Sequence, residues 1–457
     1  MKSLRKKDPR ALRKQRDLDM LHGTLADKIL FFVLPLALTG ILQQLFNATD
    51  VAVVGRLVGS NAMAAVGSNS PVINLMVNLF VGISLGANVV ISRCTGQGNP
   101  KAITRAVHTA ILVALLAGSF LAVFGILVSR TALSFMGVPE EVLPMALSYL
   151  RIYMGGMPLI LLYNYEAAIF RSQGDTRTPL LVLIVAGFSN IILNVFFITV
   201  FNMAAGGVAL ATVIANGISA LLMFFFLLRK EGPTQLRLRD LRIDRPLLKQ
   251  MLAIGIPAGL QGMVFSISNV LIQSSVNSLG ADVMAASSAA YNVEILIYFV
   301  VNAFGQAATT FTGQNVGAGQ RDRCLKVLKI CLLVGALATT AVSMTLYAFR
   351  EPILSVFNTN AVVLAYGVKR LSFMLPFEVG NMLIEVLSGT LRGFGHSLPP
   401  AIASLVGICL FRIVWVETLF RARHTFEVLM MVYPISWFVA AALLLFFLFR
   451  IRQRLFG

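Results

Sequence analysis

Twelve apolar runs, each long enough to cross a bilayer, constrain this 457-residue chain more than any other feature. A bilayer core takes about twenty apolar residues in helical form. Within hydrocarbon each span must satisfy its own backbone amides, so the runs are read as helices. They fall at 28–56, 62–92, 101–128, 141–173, 178–201 and 205–230, then at 246–280, 282–315, 321–349, 360–394, 398–420 and 425–452. Charged residues make up only 13% of the chain, about half the share found in a soluble domain. The expected fold class is an all-α membrane protein with twelve transmembrane helices in two pseudo-symmetric six-helix lobes.

The net charge of +18 lies in short stretches between the runs. Positive-inside topology explains that distribution better than a nucleic-acid surface does, so no nucleic-acid partner is expected. Arg93, Lys101, Arg105, Arg171, Arg177, Arg321, Arg323, Lys326 and Lys329 fall on one side with the segment EGPTQLRLRDLRIDR at 231–245 and the end of the chain. That side is expected to be cytoplasmic, with both termini on it. The basic start MKSLRKKDPRALRKQR is followed by no short apolar stretch with a small-residue cleavage site, so it is read as a retained tail. The expected organisation is a cytoplasmic tail at 1–27, an N-terminal lobe at 28–230, a linker at 231–245 and a C-terminal lobe at 246–457 that ends in a short basic tail.

The two halves repeat. Pro35, Leu38, Gly40 and Asn47 recur as Pro257, Leu260, Gly262 and Asn269. TGQGN at 95–99 recurs as VGAGQ at 316–320, and Arg171, Gly174 and Pro179 recur as Arg392, Gly395 and Pro400. Six spans per half make this a parallel repeat about an axis along the membrane normal, an arrangement whose binding sites usually lie between the repeats.

Polar residues within the spans are the candidates for chemistry. The stretch LPLALTGILQQLFNATDVAVVG at 34–55 carries Thr39, Gln43, Asn47 and Asp50 at spacings of four, four and three, hence on one helix face. Such a stripe belongs in the bundle interior or a wet cavity. Pro35, which removes one helical hydrogen bond, is the candidate hinge. Asp50 lies about 10 Å below the outer end of its helix at 1.5 Å per residue, and Asn194 and Thr212 reach similar depth on the fifth and sixth helices. Asn190, one turn from Asn194, joins them. A carboxylate among amide and hydroxyl oxygens suits a proton or Na+, and in the Na+ case all four residues are the metal ligands. The structural alternative is a hydrogen-bonded cluster that only holds helices together.

On the eighth helix Glu294 shares a face with Tyr291, Tyr298 and Asn302, a pattern suited to an organic cation. On the tenth, Glu378, Asn381, Glu385, Ser388 and Arg392 form another stripe. Arg412 on the eleventh helix is expected at the depth of Glu378, where a structural ion pair is as good an expectation as a functional one. Glu385, with no obvious cation beside it, is the better functional candidate. Glu166 is expected at the cytoplasmic mouth, either as a gate or in a snorkelling surface pair with Arg171. Cys94, Cys324, Cys331 and Cys409 show no paired spacing and are expected to be free thiols. The chain contains no GxxxxGK[ST] loop, HExxH or DDxxD, so ATP hydrolysis and membrane-embedded enzyme chemistry are not expected.

The stretch at 34–59, with FRSQGDTRTP at 170–179, TFTGQNVGAGQRDR at 310–323, LRGFGHSLPP at 391–400 and YPISW at 433–437, resembles the multidrug and toxic compound extrusion transporters over nearly the whole chain. The resemblance implies a V-shaped pair of lobes, alternating access, and export of amphipathic, often cationic compounds in exchange for H+ or Na+. It points to Asp50, Asn190, Asn194 and Thr212 as the coupling-cation site, although some relatives carry a second acid where this chain has Asn194. No cofactor beyond the coupling ion is implied. Expected partners are small organic cations and membrane lipid, with a monomer as the default. The alternative is a flippase for a lipid-linked saccharide, which would line its cavity with arginines.

Overall fold

A computed structural model describes residues 18–456. The described residues contain helices and turns but no strand. In chain order the spans are α1 (Ala26–Leu57), α2 (Ser60–Gly96), α3 (Pro100–Phe135), α4, α5 (Arg177–Thr199) and α6 (Ala204–Arg229). The second half supplies α7 (Arg245–Asn277), α8 (Ala281–Gly317), α9 (Arg321–Ala348), α10 (Ala361–Gly393), α11 (Leu398–Arg423) and α12 (Phe426–Phe456). Span α4 is two helices, Leu143–Gly155 and Met157–Ser172, bent by 49°. The break falls at Gly156, where an added Cβ would stand 2.4 Å from the Val213 side chain. Within α10 the helix tightens to a 3₁₀ turn at Leu375–Phe377 around Pro376, as the ring's missing N–H and bulk require. By contrast, α1 is continuous through Pro35.

Local chemistry sets the ends of these helices. Asn99 caps α3 by accepting from the Ala102 amide, with Pro100 in the first helical position, and Asp244 caps α7 in the same way through Leu247, followed by Pro246. The repeat is also written in the backbone. Gly59 and Gly280, Gly98 and Gly319, and Gly174 and Gly395 all hold positive φ at turns, each pair 221 residues apart. Other L residues rarely adopt that conformation.

The first helix of each half starts in the opposite half. Ile29, Phe32, Val33 and Leu36 of α1 belong to the C-terminal core, where Phe32 meets Phe311 edge to face at 5.6 Å. Farther along, Phe46 fills the notch left by Gly187 on α5. Likewise Leu247, Met251 and Ile254 of α7 pack into the N-terminal core.

The end of the molecule that holds Leu18 and the C-terminal ends of α2 and α8 is called the base here, and the opposite end the mouth. At the base the halves are locked together. Arg171 donates to Gln306 at 2.9 Å, Gln314 to the Ser172 carbonyl at 2.7 Å, and Arg93 to the Gly393 carbonyl at 3.2 Å. Backbones touch there as well, since a Cβ on Gly96 would lie 1.9 Å from the Gln314 carbonyl oxygen and one on Gly317 would lie 2.1 Å from that of Arg93. Between the two sets of six helices, no hydrogen bond among the described residues lies nearer the mouth than Asn78 to Ser266, at 3.1 Å. The hydrogen bonds that join the halves therefore lie at the base and at mid-depth, with none among the described residues on the mouth side.

Candidate functional site

The four residues singled out in the N-terminal half form a closed hydrogen-bond ring. Asp50 Oδ1 accepts from Asn194 Nδ2 at 2.5 Å, and Asp50 Oδ2 accepts from Thr212 Oγ1 at 3.2 Å. Asn194 Nδ2 also donates to Asn190 Oδ1 at 3.2 Å, and Asn190 Nδ2 donates to Thr212 Oγ1 at 3.4 Å. Three helices thus converge on one carboxyl group. Asp50, Asn190 and Asn194 are buried, and Thr212 is half-buried. A hydroxyl can rotate to donate or to accept, so Thr212 can serve Asp50 with or without a proton.

Cation binding makes a second demand, that of free oxygen. Asn194 Oδ1 is buried without a hydrogen-bond partner among the described residues. It faces away from Asp50 and Asn190, which meet the Nδ2 of the same amide. The residue types suit a proton as they stand; a hard cation would need the Asn194 amide turned so that its oxygen joins those of Asp50, Asn190 and Thr212. Tyr149 and Tyr153, with ring centroids 6.1 Å apart on the first segment of α4, lie near Asp50. Sequence reasoning missed both, although their four-residue spacing was visible.

Gln43 and Asn47 are exposed, as are Leu34, Leu38 and Leu45. At about 100° per residue the two groups occupy roughly opposite faces of α1. The leucines are placed to meet lipid, and the amides share the helix face that carries Asp50. Tyr291 and Tyr298 on α8 are also exposed, at 49% and 38%.

The C-terminal acids depart from expectation. Glu294 does not present a free charge to a ligand. Arg370 grips it with two hydrogen bonds, Nε to Oε1 at 2.7 Å and Nη2 to Oε2 at 2.9 Å, and both residues are buried. Arg370 could have been found by listing the arginines inside spans. Two-point pairing of this kind favours Arg over Lys. We expect Glu294→Gln to destabilise the protein by about 3 to 5 kcal/mol, because it leaves a buried guanidinium without its partner. An apolar double replacement, Glu294→Leu with Arg370→Met, should recover most of that loss. Equal thermal unfolding of Glu294→Gln and wild type would refute the pairing.

Glu378 does not pair with Arg412; it accepts from Asn381 Nδ2 at 3.2 Å. Arg412 is held by Ser436, Ser268 and Asn269 instead. Glu385 is buried and, contrary to expectation, has a cation in electrostatic reach, Arg392 on its own helix. Arg392 in turn donates to Gln261 at 2.7 Å. Glu166 is neither at the surface nor paired with Arg171. It is fully buried, and its oxygens have no hydrogen-bond partner among the described residues. All four cysteines are free and buried. At the base, partial burial and the nearby Arg93 push the His396 imidazole below its usual range.

The MatE family model matches residues 35–196 and 257–416, one stretch in each half. Among individual proteins, the chain is 29% identical over 386 residues to the "Probable multidrug resistance protein YoeA" of Bacillus subtilis, covering 82% of this chain and 83% of that protein. It is 25% identical over 392 residues to the "Probable multidrug resistance protein NorM" of Thermotoga maritima, covering 84% of each. A solved structure described as the outward-facing conformation of a multidrug resistance MATE family transporter superposes with a TM-score of 0.88 at 21% identity, over 96% of this chain and 98% of that one. Two matched repeats, twelve helices in two sets and the shared fold lead to one conclusion: the chain belongs to the MatE family, the multidrug and toxic compound extrusion transporters that its motifs resemble.

Proposed function

We propose that this protein is a secondary-active multidrug antiporter that exports amphipathic, mostly cationic organic compounds in exchange for H+ or Na+. Its place is the bacterial plasma membrane, with the base and both termini in the cytoplasm, and it works as a monomer of two lobes, 28–230 and 246–457. The observation that carries this reading is the Asp50 ring, a buried carboxyl group bonded by Asn194 and Thr212 from two other helices. The multidrug resistance names of its relatives supply the substrate class.

In this account the cation enters from the mouth and binds the ring through Asp50, Asn190, Asn194 and Thr212. Its charge draws the oxygens of α1, α5 and α6 together. The outer half of α1 then shifts about Pro35, which weakens substrate binding at Gln43, Asn47, Tyr291, Tyr298 and Asn381. Glu294, Glu378 and Glu385 shape that wall from behind and make no direct contact with substrate. Both ligands bias one equilibrium between base-closed and base-open states.

Reconstitution into liposomes tests this directly. A fluorescent cation such as ethidium should be transported under an imposed pH gradient or an imposed Na+ gradient, applied one at a time. Transport under neither gradient, with several unrelated cations, would overturn the antiporter reading and favour the lipid-linked saccharide flippase.

A further inference from the structure

The two halves differ in the sign of the charge buried among their first, fifth and sixth helices. The repeat matches α7, α11 and α12 to α1, α5 and α6. The residue corresponding to Asp50 is Ile272, apolar and fully buried. The counterpart of Thr212 is Tyr433, and Arg412 lies one residue from the counterpart of Asn190. Where the N-terminal half has a carboxyl group, the C-terminal half has a guanidinium.

Arg412 is 1% exposed. Its Nε donates to Ser436 Oγ at 3.1 Å, and its Nη1 donates to Ser268 Oγ at 3.3 Å and to Asn269 Oδ1 at 3.2 Å. The Tyr433 ring lies 4.4 Å from its Cζ. Every one of these partners is neutral. Among the described residues no carboxylate oxygen comes within 4.0 Å of it. Glu294 is taken by Arg370, Glu378 is bonded to Asn381, and Glu385 interacts with Arg392. The charged side chain that does reach Arg412 electrostatically is Arg370, of like sign.

A buried charge held only by neutral groups is unfavourable unless a counter-ion completes it. The face of one aromatic ring offsets part of that penalty. An anion has a short way to come. Asn269 is exposed on the side of α7 opposite the exposed Ile256, Leu260 and Ile267, and its Oδ1 accepts from Arg412, so a single residue separates the buried guanidinium from that open face. Helix α11 is also irregular on both sides of Arg412, with π turns at Leu405–Leu410 and Val416–Phe420. Such turns recur at functional sites because they redirect side chains.

We propose that Arg412, with Asn269, Ser268, Ser436 and Tyr433, forms a monoanion site that receives the carboxylate of an amphipathic zwitterionic substrate. The positive end of that substrate lies toward the Asp50 half. This rests on the transporter reading above and adds to it a class of substrate with a charge of each sign.

The test compares rhodamine B, a fluorescent organic cation with a free carboxylate, with its ethyl ester, which keeps the cation and lacks the acid. Binding to the purified full-length protein is followed by fluorescence anisotropy in chloride-free buffer. The acid should bind about tenfold or more tighter than the ester, the scale of a charge-assisted hydrogen bond. Arg412→Gln should erase that preference and leave ester affinity unchanged, which also shows that the variant is folded. Arg412→Lys should keep part of the preference, since it retains the charge but not the fork.

Equal binding of acid and ester by wild type would overturn the substrate-carboxylate proposal. Thermal stabilisation by chloride in wild type but not in Arg412→Gln would then mark an inorganic anion site instead. If neither dye binds, the multidrug reading fails separately. The anion site is then judged by acetate alone, which must raise Tm in wild type and not in Arg412→Gln; no shift overturns it.

Discussion

Asp50→Asn should abolish ion-driven export and leave the fold intact. Asparagine keeps an oxygen that can accept from Asn194, and its amide can donate to the Thr212 hydroxyl. The ring therefore remains satisfied, and thermal unfolding should stay within a few degrees of wild type. What disappears is the group able to take a proton or carry the negative charge for Na+. In liposomes with an imposed gradient of the coupling ion, dye transport should fall to that of protein-free vesicles. Asp50→Ala is the poorer test, since it strands the Asn194 amide and opens a cavity, so a loss of stability would blur the result. Normal gradient-driven transport by Asp50→Asn would move the coupling site elsewhere, and fully buried Glu166 would become the first place to look.

The second large effect concerns closure of the base. At Gly96 the backbones of α2 and α8 touch, and even a methyl group would stand 1.9 Å from the Gln314 carbonyl oxygen. Backbone cannot swing aside as a flexible side chain does. Overpacking of a tight contact costs about 1 to 3 kcal/mol, so Gly96→Val should make the base-closed state about tenfold to a hundredfold less populated. Dye export should fall in proportion, and alkylation of a cysteine placed at Gln306, which now bonds Arg171 across the base, should accelerate. Gly67, whose Cβ would meet nothing within 4 Å, is the control, and Gly67→Ala should behave as wild type. Unchanged alkylation in Gly96→Val would show that the base is not held by this contact.

The sequence discloses the fold because the features that carry it are periodic. Long apolar runs mark the spans, and the 221-residue offset recurs in the positive-φ glycines that turn the chain. Two details were missed. The bend at Gly156 has a local signal, the pair Gly155 and Gly156 followed by Pro158, whose missing N–H cannot continue the helical ladder. The assignment of α1 and α7 to opposite cores is a matter of packing that local sequence does not encode.

The Asp50 ring was legible for a simple reason: its members lie at one depth on three helices of the same half, two of them consecutive. The acids of the C-terminal half were not. Depth suggested a pair between Glu378 and Arg412, but depth along a span says nothing about rotation around it. Arg412 turns toward α7 and α12, and Glu378 turns to Asn381 on its own helix. The bond from Arg370 to Glu294 joins α10 to α8, and no local pattern announces it.

The central claim is that cation and substrate act through one equilibrium centred on Asp50. Linkage makes it measurable without transport. Ethidium affinity of the purified protein is determined over a range of pH at fixed Na+, and over a range of Na+ at fixed pH, for wild type and Asp50→Asn. Affinity should fall as the coupling ion rises, by about 5- to 150-fold between ion-free and ion-saturated protein. In Asp50→Asn the dependence on that ion should vanish, with the dye bound at one constant affinity. The same ion dependence in both proteins would contradict the account.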